Sequence, residues 1–273
     1  MVGSFLITLR EGIEAALILG IILGYLSKIG HNSLKKNVYY GVGYAFLLSI
    51  LLAYIFKIFS VEFEGMAEQL FEGIVMLLAV VLITSMILWM QKQSKDLKGN
   101  LAREIDMVIE NNSSWGIIVI SFISVFREGV EIVLFLQASL TQSSAIVSFV
   151  GASLGLIAAV ILAYFIFKTS IKLDLKKFFK ITGGLLIFIS AGLLAQGIHE
   201  LQEAHILPVI IEHLYDINGI INEKGTFGSF LKAMFGYNGN PSLLEVISYI
   251  VYIAGIGKLF FVSTTKDAKS NNF

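Results

Sequence analysis

Apolar runs of membrane-spanning length, broken by short polar stretches, set the pattern of this chain. They fall near residues 3–26, 41–60, 71–90, 115–138, 146–167, 181–198 and 244–262, each close to the ~20 residues a helix needs to cross a bilayer. The pattern predicts an all-α integral membrane protein with seven transmembrane helices. Residues 27–37 and 91–114 read as charged loops, and residues 141–144 as a short turn. Residues 199–243 form the one long connection, an outer loop that holds both prolines, Pro208 and Pro241. Within it Glu200, Glu203, His205, Glu212 and His213 alternate with apolar residues, which suggests a short surface helix. Residues 1–273 read as a single transmembrane domain, with the seventh helix at 244–262.

Two runs carry the same charged word: Arg10-Glu11-Gly12-Ile13-Glu14 and Arg127-Glu128-Gly129-Val130-Glu131. A charged side chain at the centre of a spanning helix costs about 2.5–3.5 kcal/mol on insertion scales. Three in one helix cost roughly 8–10 kcal/mol, about what some twenty Leu or Ile residues return at ~0.5 each. A buried ion pair can often be exchanged for apolar residues without loss of stability, so clamping helices together does not account for the words. They mark a site that handles charge.

The words also reveal a repeat. Each lies in the first helix of a group of three, at a spacing of 117 residues. Leu52-Ala53-Tyr54-Ile55-Phe56-Lys57 closes the second helix much as Leu162-Ala163-Tyr164-Phe165-Ile166-Phe167-Lys168 closes the fifth. Glu72-Gly73 opens the third as Thr182-Gly183 opens the sixth. Repeat one covers 1–90 and repeat two 115–198. Three helices per repeat is an odd number, so the halves cross in opposite senses, a 3+3 inverted repeat plus one extra helix. Such halves commonly place a transport site at the midplane between them.

Lysine and arginine set the expected orientation through the positive-inside rule. Lys28, Lys35, Lys36, Lys92, Lys95, Lys98, Arg103, Lys168, Lys172, Lys176, Lys177, Lys180, Lys258, Lys266 and Lys269 fall on one side; only Lys57, Lys224 and Lys232 fall on the other. The N-terminus is therefore expected outside and the C-terminus in the cytoplasm. The outer side carries Glu62, Glu64, Glu68, Glu72, Glu200, Glu203, Glu212, Asp216, Glu223 and Glu245, an acidic rim that would concentrate cations.

Composition narrows the chemistry. The chain is 56% hydrophobic, with a mean hydropathy of +0.81, which agrees with an integral membrane protein. Formal net charge is zero, which argues against a nucleic-acid partner. There are no cysteines, so disulfides, thiolate metal sites and cysteine catalysis are excluded. The chain opens on Met1-Val2-Gly3 without a basic stretch, and its first apolar run holds the charged word, so no cleavable signal peptide is expected.

At 100° per residue, Arg10, Glu14 and Glu11 fall at about 0°, 40° and 100° on the helical wheel, and Gly12 falls on the far side. The same holds for Arg127, Glu131, Glu128 and Gly129. Two such faces brought together offer four carboxylates and two guanidiniums. Oxygen ligands without thiolate suit a hard, highly charged cation. Clustered carboxylates left alone repel one another and take up protons; an adjacent guanidinium keeps some of them ionised and oriented.

Other motifs are weaker. Gly20-x-x-x-Gly24 and Gly151-x-x-x-Gly155 read as small-residue helix contacts. Met86-x-x-x-Met90 fits core filling better than a soft Cu(I) site. His199-Glu200-Leu201-Gln202-Glu203 is like the zinc-protease helix, but Glu203 stands where a second histidine is required. Glu68, Glu72, His199, Glu200, Glu203 and His205 are candidates for an outer approach path, with a solvated loop as the plain alternative.

At the charged words the sequence resembles the oxidase-dependent iron permeases, the fungal high-affinity iron permeases and their bacterial counterparts in the iron/lead transporter superfamily. Both Arg-Glu-Gly-X-Glu copies match at every defining position, as do Glu72-Gly73, Trp89-Met90 and residues 196–204, Gln-Gly-Ile-His-Glu-Leu-Gln-Glu-Ala. The resemblance implies iron as transported substrate across the cytoplasmic membrane, with no permanent cofactor. It implies Glu11, Glu14, Glu128 and Glu131 as iron-handling residues, supported by Arg10 and Arg127. It also implies partners: an oxidase in fungi, extracytoplasmic iron-binding or peroxidase-like proteins in bacteria. The sequence has neither the long fungal cytoplasmic tail nor the large extracytoplasmic extension of some bacterial members, so any such partner is expected to be a separate protein. A homo-oligomer stays open. So do three rival readings: a transporter of lead, manganese or copper; an intramembrane metalloenzyme built on His199, Glu200, Glu203 and His205; and a non-transporting iron sensor.

Overall fold

A computed structural model of the chain describes residues 1–93, 97–110, 113–140, 144–168, 175–223 and 225–270. Among the described residues the regular structure is helical. The helices are α1 (Val2–Lys28), α2 (Lys35–Glu62), α3 (Met66–Gln93), α4 (Leu97–Glu110), α5 (Ser114–Leu140), α6 (Ala145–Lys168), α7 (Leu175–Glu203), α8 (Thr226–Phe235) and α9 (Leu243–Ser270), with a 3-10 turn at Asn32–Leu34. Of the residues singled out above, Lys95, Lys172, Lys224 and 141–143 lie outside the described residues. Glu62, Trp89, Met90, Lys92, Lys98, Lys176, Lys266 and Lys269 lie outside those whose side chains are described.

Among the described residues five helical stretches are long and apolar enough to cross a membrane: Asn32–Phe59, Met66–Leu88, Ala145–Lys168, Lys177–Glu203 and Leu243–Phe260. Two further helices, α1 and α5, are 27 residues each, and the three charges of the Arg-Glu-Gly-X-Glu word set each of them apart from the apolar five. The chain ends α1 with Gly30 at φ +82°; the His31 amide donates to Leu26 O and the Gly30 amide to Ser27 O, a Schellman cap.

Lipid offers no hydrophobic force between helices, so their contacts depend on small residues and interhelical hydrogen bonds. α1 lies along α6 and α2 along α5, while α7 holds both α3 and α9. The first two pairs run parallel. Gly151 touches Met1, Gly155 touches Thr8, and Gly12 meets Ala159 with room for a Cβ at only 2.6 Å. On the other pair Gly41 touches Ile118 and Gly129 touches Ser49. Gly20 sits under the Phe167 ring, whereas Gly24 faces open space, so only half of that glycine pair is a contact. Thr8 Oγ1 donates to Ala152 O at 2.9 Å, adding a bond of the kind worth about 0.6 kcal/mol in membranes. The α3 and α7 pair is antiparallel, crossing where Gly73 approaches Gly197 O. α1 and α5 are antiparallel as well: Ser4 Oγ lies 3.4 Å from Ser139 Oγ, while further along α1 Glu11 meets Glu128 and Glu131.

The stretch 91–114, expected as a loop, contains α4. Leu101 and Ile105 are buried there against Ile22, Leu26, Val38 and Ile117, and Tyr25 Oη donates to Asp106 at 2.7 Å. An apolar stripe at i, i+4 makes the helix amphipathic, and surrounding charge conceals it. The connection after α7 also differs from expectation. Residues 199–203 continue the helix, and the short helix lies at 226–235 rather than among the alternating acids and histidines.

Candidate functional site

Each charged word occupies the middle of its helix pair. Ala159, opposite Gly12, is near the midpoint of α6, and Ser49, opposite Gly129, is near that of α2. Gly12 and Gly129 turn their bare faces to these neighbours, which leaves the charged faces of α1 and α5 toward each other, as the wheel anticipates.

Among the described residues Arg10 is the largest fully buried side chain, with 1% of its surface exposed. Its Nη2 lies 2.9 Å from Glu14 Oε1, an ion-pair distance without hydrogen-bond alignment, and its Nη1 lies 3.4 Å from Glu11 Oε1. Nη1 also donates to Met86 Sδ at 2.9 Å. Met86, read as core filler, thus holds the arginine from α3; no pattern in the sequence signals this contact. In the second word, Arg127 Nε lies 3.3 Å from Glu131 Oε1 and 3.6 Å from Glu128 Oε1, but 41% of the Arg127 side chain is exposed.

Three acids converge. One carboxylate oxygen from each of Glu11, Glu128 and Glu131 lies within 4.8 Å of the others. Glu14 stands beside them, paired with Arg10 and in electrostatic contact with Glu128, Glu131 and Arg127. Glu11 Oε2, Glu128 Oε2 and Glu131 Oε2 are buried and accept no hydrogen bond among the described residues. Each such oxygen costs about 1–3 kcal/mol. Oxygens bound at ~2.1 Å to a common hard cation sit about 3–4 Å apart, so a small closure would turn these three into a ligand set.

Five of the outer candidates, Glu68, Glu72, His199, Glu200 and Glu203, form one linked set on α3 and α7. Glu72, half-buried on α3, interacts with Glu200 on α7 and with Glu68 one turn away. Gln196 Nε2 donates to Glu200 Oε1 at 2.9 Å. His199 has both ring nitrogens engaged: Nε2 is 3.1 Å from Glu203 Oε1 and Nδ1 is 3.1 Å from Glu245 Oε1. Glu203 also accepts from Gln69 Nε2 at 2.9 Å. The His199 network therefore spends its nitrogens on protein partners. Glu245 is its buried centre and was legible as a capping box: the Glu245 amide donates to Ser242 Oγ at 3.3 Å, and the Ser242 amide donates to Glu245 Oε1 at 3.2 Å.

His205 stands apart, exposed, with φ +56°. The Ile206 amide donates to Leu201 O and the His205 amide to Gln202 O, the same Schellman geometry that Gly30 closes on α1. Its role here is that of a helix cap, and a Cβ in this conformation costs about 1–2 kcal/mol. His205→Gly is expected to raise the thermal midpoint of the detergent-solubilised protein; an unchanged or lowered midpoint would show that the left-handed cap carries no strain at His205.

A family model described as the iron permease FTR1 family matches residues 1–266. The ferrous iron permease EfeU of Yersinia pestis is 35% identical over 272 residues, covering 99% of this chain and 96% of its own length. The ferrous iron permease EfeU of Escherichia coli O6:H1 is 36% identical over 255 residues, covering 93% and 92%. No solved structure matches. The family and these relatives are permeases, not enzymes. With a match along nearly its whole length, the chain belongs to the FTR1 iron permease family.

Proposed function

We propose that this chain imports iron across the cytoplasmic membrane and that Glu11, Glu128 and Glu131, with Glu14 alongside, handle the ion. The carrying observation is the convergence of three carboxylates, each of which also has one buried oxygen that accepts no hydrogen bond among the described residues, an arrangement that calls for a further partner. The relatives' ferrous iron is the substrate we assign here.

The proposed frame is seven spans, α1, α2, α3, α5, α6, α7 and α9, arranged as an inverted repeat plus one helix. Paired contacts support it: Gly12 on Ala159 has a counterpart in Gly129 on Ser49, and Gly151 on Met1 has one in Gly41 on Ile118. Helices running parallel cross in the same sense, which agrees with α1 and α6 descending while α2 and α5 ascend. In this frame the antiparallel words put Arg10 on the outer side of the acids and Arg127 on the cytoplasmic side. Full burial of Arg10 and half-exposure of Arg127 then suit a state closed outside and accessible within. Transport proceeds as one half rocks against the other and the guanidiniums exchange exposure. An extracytoplasmic oxidase, peroxidase or iron-binding protein would deliver the ion.

The test is radioiron uptake into proteoliposomes holding the purified chain, with an inward iron gradient and no partner protein. Time-dependent accumulation is expected. Binding without accumulation would favour a sensor, and uptake of manganese or lead that excess iron fails to compete would favour another cation.

A further inference from the structure

The connection between α7 and α9 carries a structure that an outer surface loop does not need. Gly236, at the C-terminal end of α8, is seated on Gly192 in the middle of α7; a Cβ on either glycine would land on the other's Cα. Gly236 also takes φ +65°, a left-handed conformation that suits glycine. Beside this contact the Phe235 ring meets Phe188 edge-on, centroids 5.7 Å apart. α8 rests on α7 and on α1.

These contacts fix a depth. Gly192 and Phe188 precede Glu200, the first acid at that end of α7, by about 12 and 18 Å at 1.5 Å per residue. Half the hydrocarbon thickness is about 15 Å. The tip of the connection therefore reaches close to the bilayer midplane, provided that α7 spans. Irregular backbone at such depth must satisfy its polar groups internally. The two limbs bond each other in part: the Leu214 amide donates to Pro241 O at 2.9 Å, the Ile217 amide to Gly239 O at 2.8 Å, and the Leu243 amide to Ile211 O at 3.1 Å. Tyr237 Oη donates to Ile221 O at 2.8 Å, and the Gly239 amide donates to Glu223 Oε2 at 3.1 Å.

We propose that residues 206–223 and 225–241 belong to a re-entrant insertion, with α8 inside the leaflet reached by the C-terminal end of α7 and its exposed face against lipid acyl chains. Phe227 (62% exposed) and Phe230 (46%) form that face; in water they would be a large apolar patch, whereas at this depth hydrocarbon covers them. The inference rests on α7 being a span and is independent of the metal.

The absence of native cysteines makes the test direct. Phe230→Cys and His213→Cys are each introduced alone, the second on the limb near the start of α9. A membrane-impermeant maleimide is expected to label H213C and to lose labelling at F230C. A fluorophore attached at F230C after solubilisation, then reconstituted, is expected to be quenched by nitroxides on mid-chain lipid carbons. Equal labelling of both positions without quenching would overturn the proposal, as a surface helix. Loss of both labelling and quenching would overturn it too, as burial in protein. Gly192→Leu in the F230C chain should restore labelling by expelling the tip; should that chain fail to fold, the nitroxide measurement decides alone. None of these readouts involves iron, so their failure would leave the transport reading standing.

Discussion

Glu128→Gln is expected to lower iron uptake into proteoliposomes by at least about tenfold while the protein remains folded. Glutamine keeps the size of the side chain and removes a charge and one hard oxygen donor. At Glu128 both losses fall on the cluster, because its carboxylate is buried and faces those of Glu11 and Glu131. Outer-shell changes around a metal typically cost ~10–100-fold in affinity, and a direct ligand is expected to reach at least that range. Glu14→Gln serves as the comparison. Glu14 pairs with Arg10 and lies outside the converging trio, so its loss acts through the guanidinium and should be milder. Uptake by E128Q equal to that of the unaltered chain, measured with matched protein per vesicle, would remove Glu128 from the path. A stronger defect in E14Q than in E128Q would shift the site toward Arg10.

Arg10→Met should have the largest effect on stability. Removing one member of a buried ion pair typically costs about 3–5 kcal/mol, since the remaining charge is stranded. Arg10 is 1% exposed and serves Glu11, Glu14 and Met86 together, so its replacement strands two acids and a sulfur acceptor. Arg127→Met removes the corresponding residue of the second word. That side chain is 41% exposed, and solvent screening reduces the expected cost to about 1 kcal/mol or less. The observable is the ordering of thermal midpoints in detergent, followed by size exclusion: unaltered chain, then R127M, then R10M well below. A midpoint for R10M at or above that of R127M would show that burial of Arg10 does not govern its contribution.

Much of the fold was readable because a membrane restricts the options. A run of some twenty apolar residues can satisfy its backbone in lipid only as a helix, so spans announce themselves by length. α4 escaped because its apolar stripe, Leu101 and Ile105, is short and sits among charges, and an amphipathic helix beside a bilayer does not look like a span. His199, Glu203 and His205 looked like metal ligands on residue type alone. Their surroundings follow from neighbours that residue type does not reveal: Glu245 occupies one His199 nitrogen, Gln69 donates to Glu203, and His205 closes a helix through its backbone.

The sequence by itself determined that the chain lives in a membrane and carries ionisable groups within it, because six such groups within two apolar helices are too costly to be incidental. Helical periodicity also determined that each word presents its acids and arginine on one face. Only the tertiary structure decided which acids meet. It joins Glu11 to Glu128 and Glu131, leaves Glu14 with Arg10, and enlists Met86 from a third helix. It alone decided the asymmetry of the two arginines and the seat of Gly236 on Gly192. The reason is physical: one segment encodes which face a residue takes on its own helix, while distances between faces depend on how closely glycines let separate helices approach.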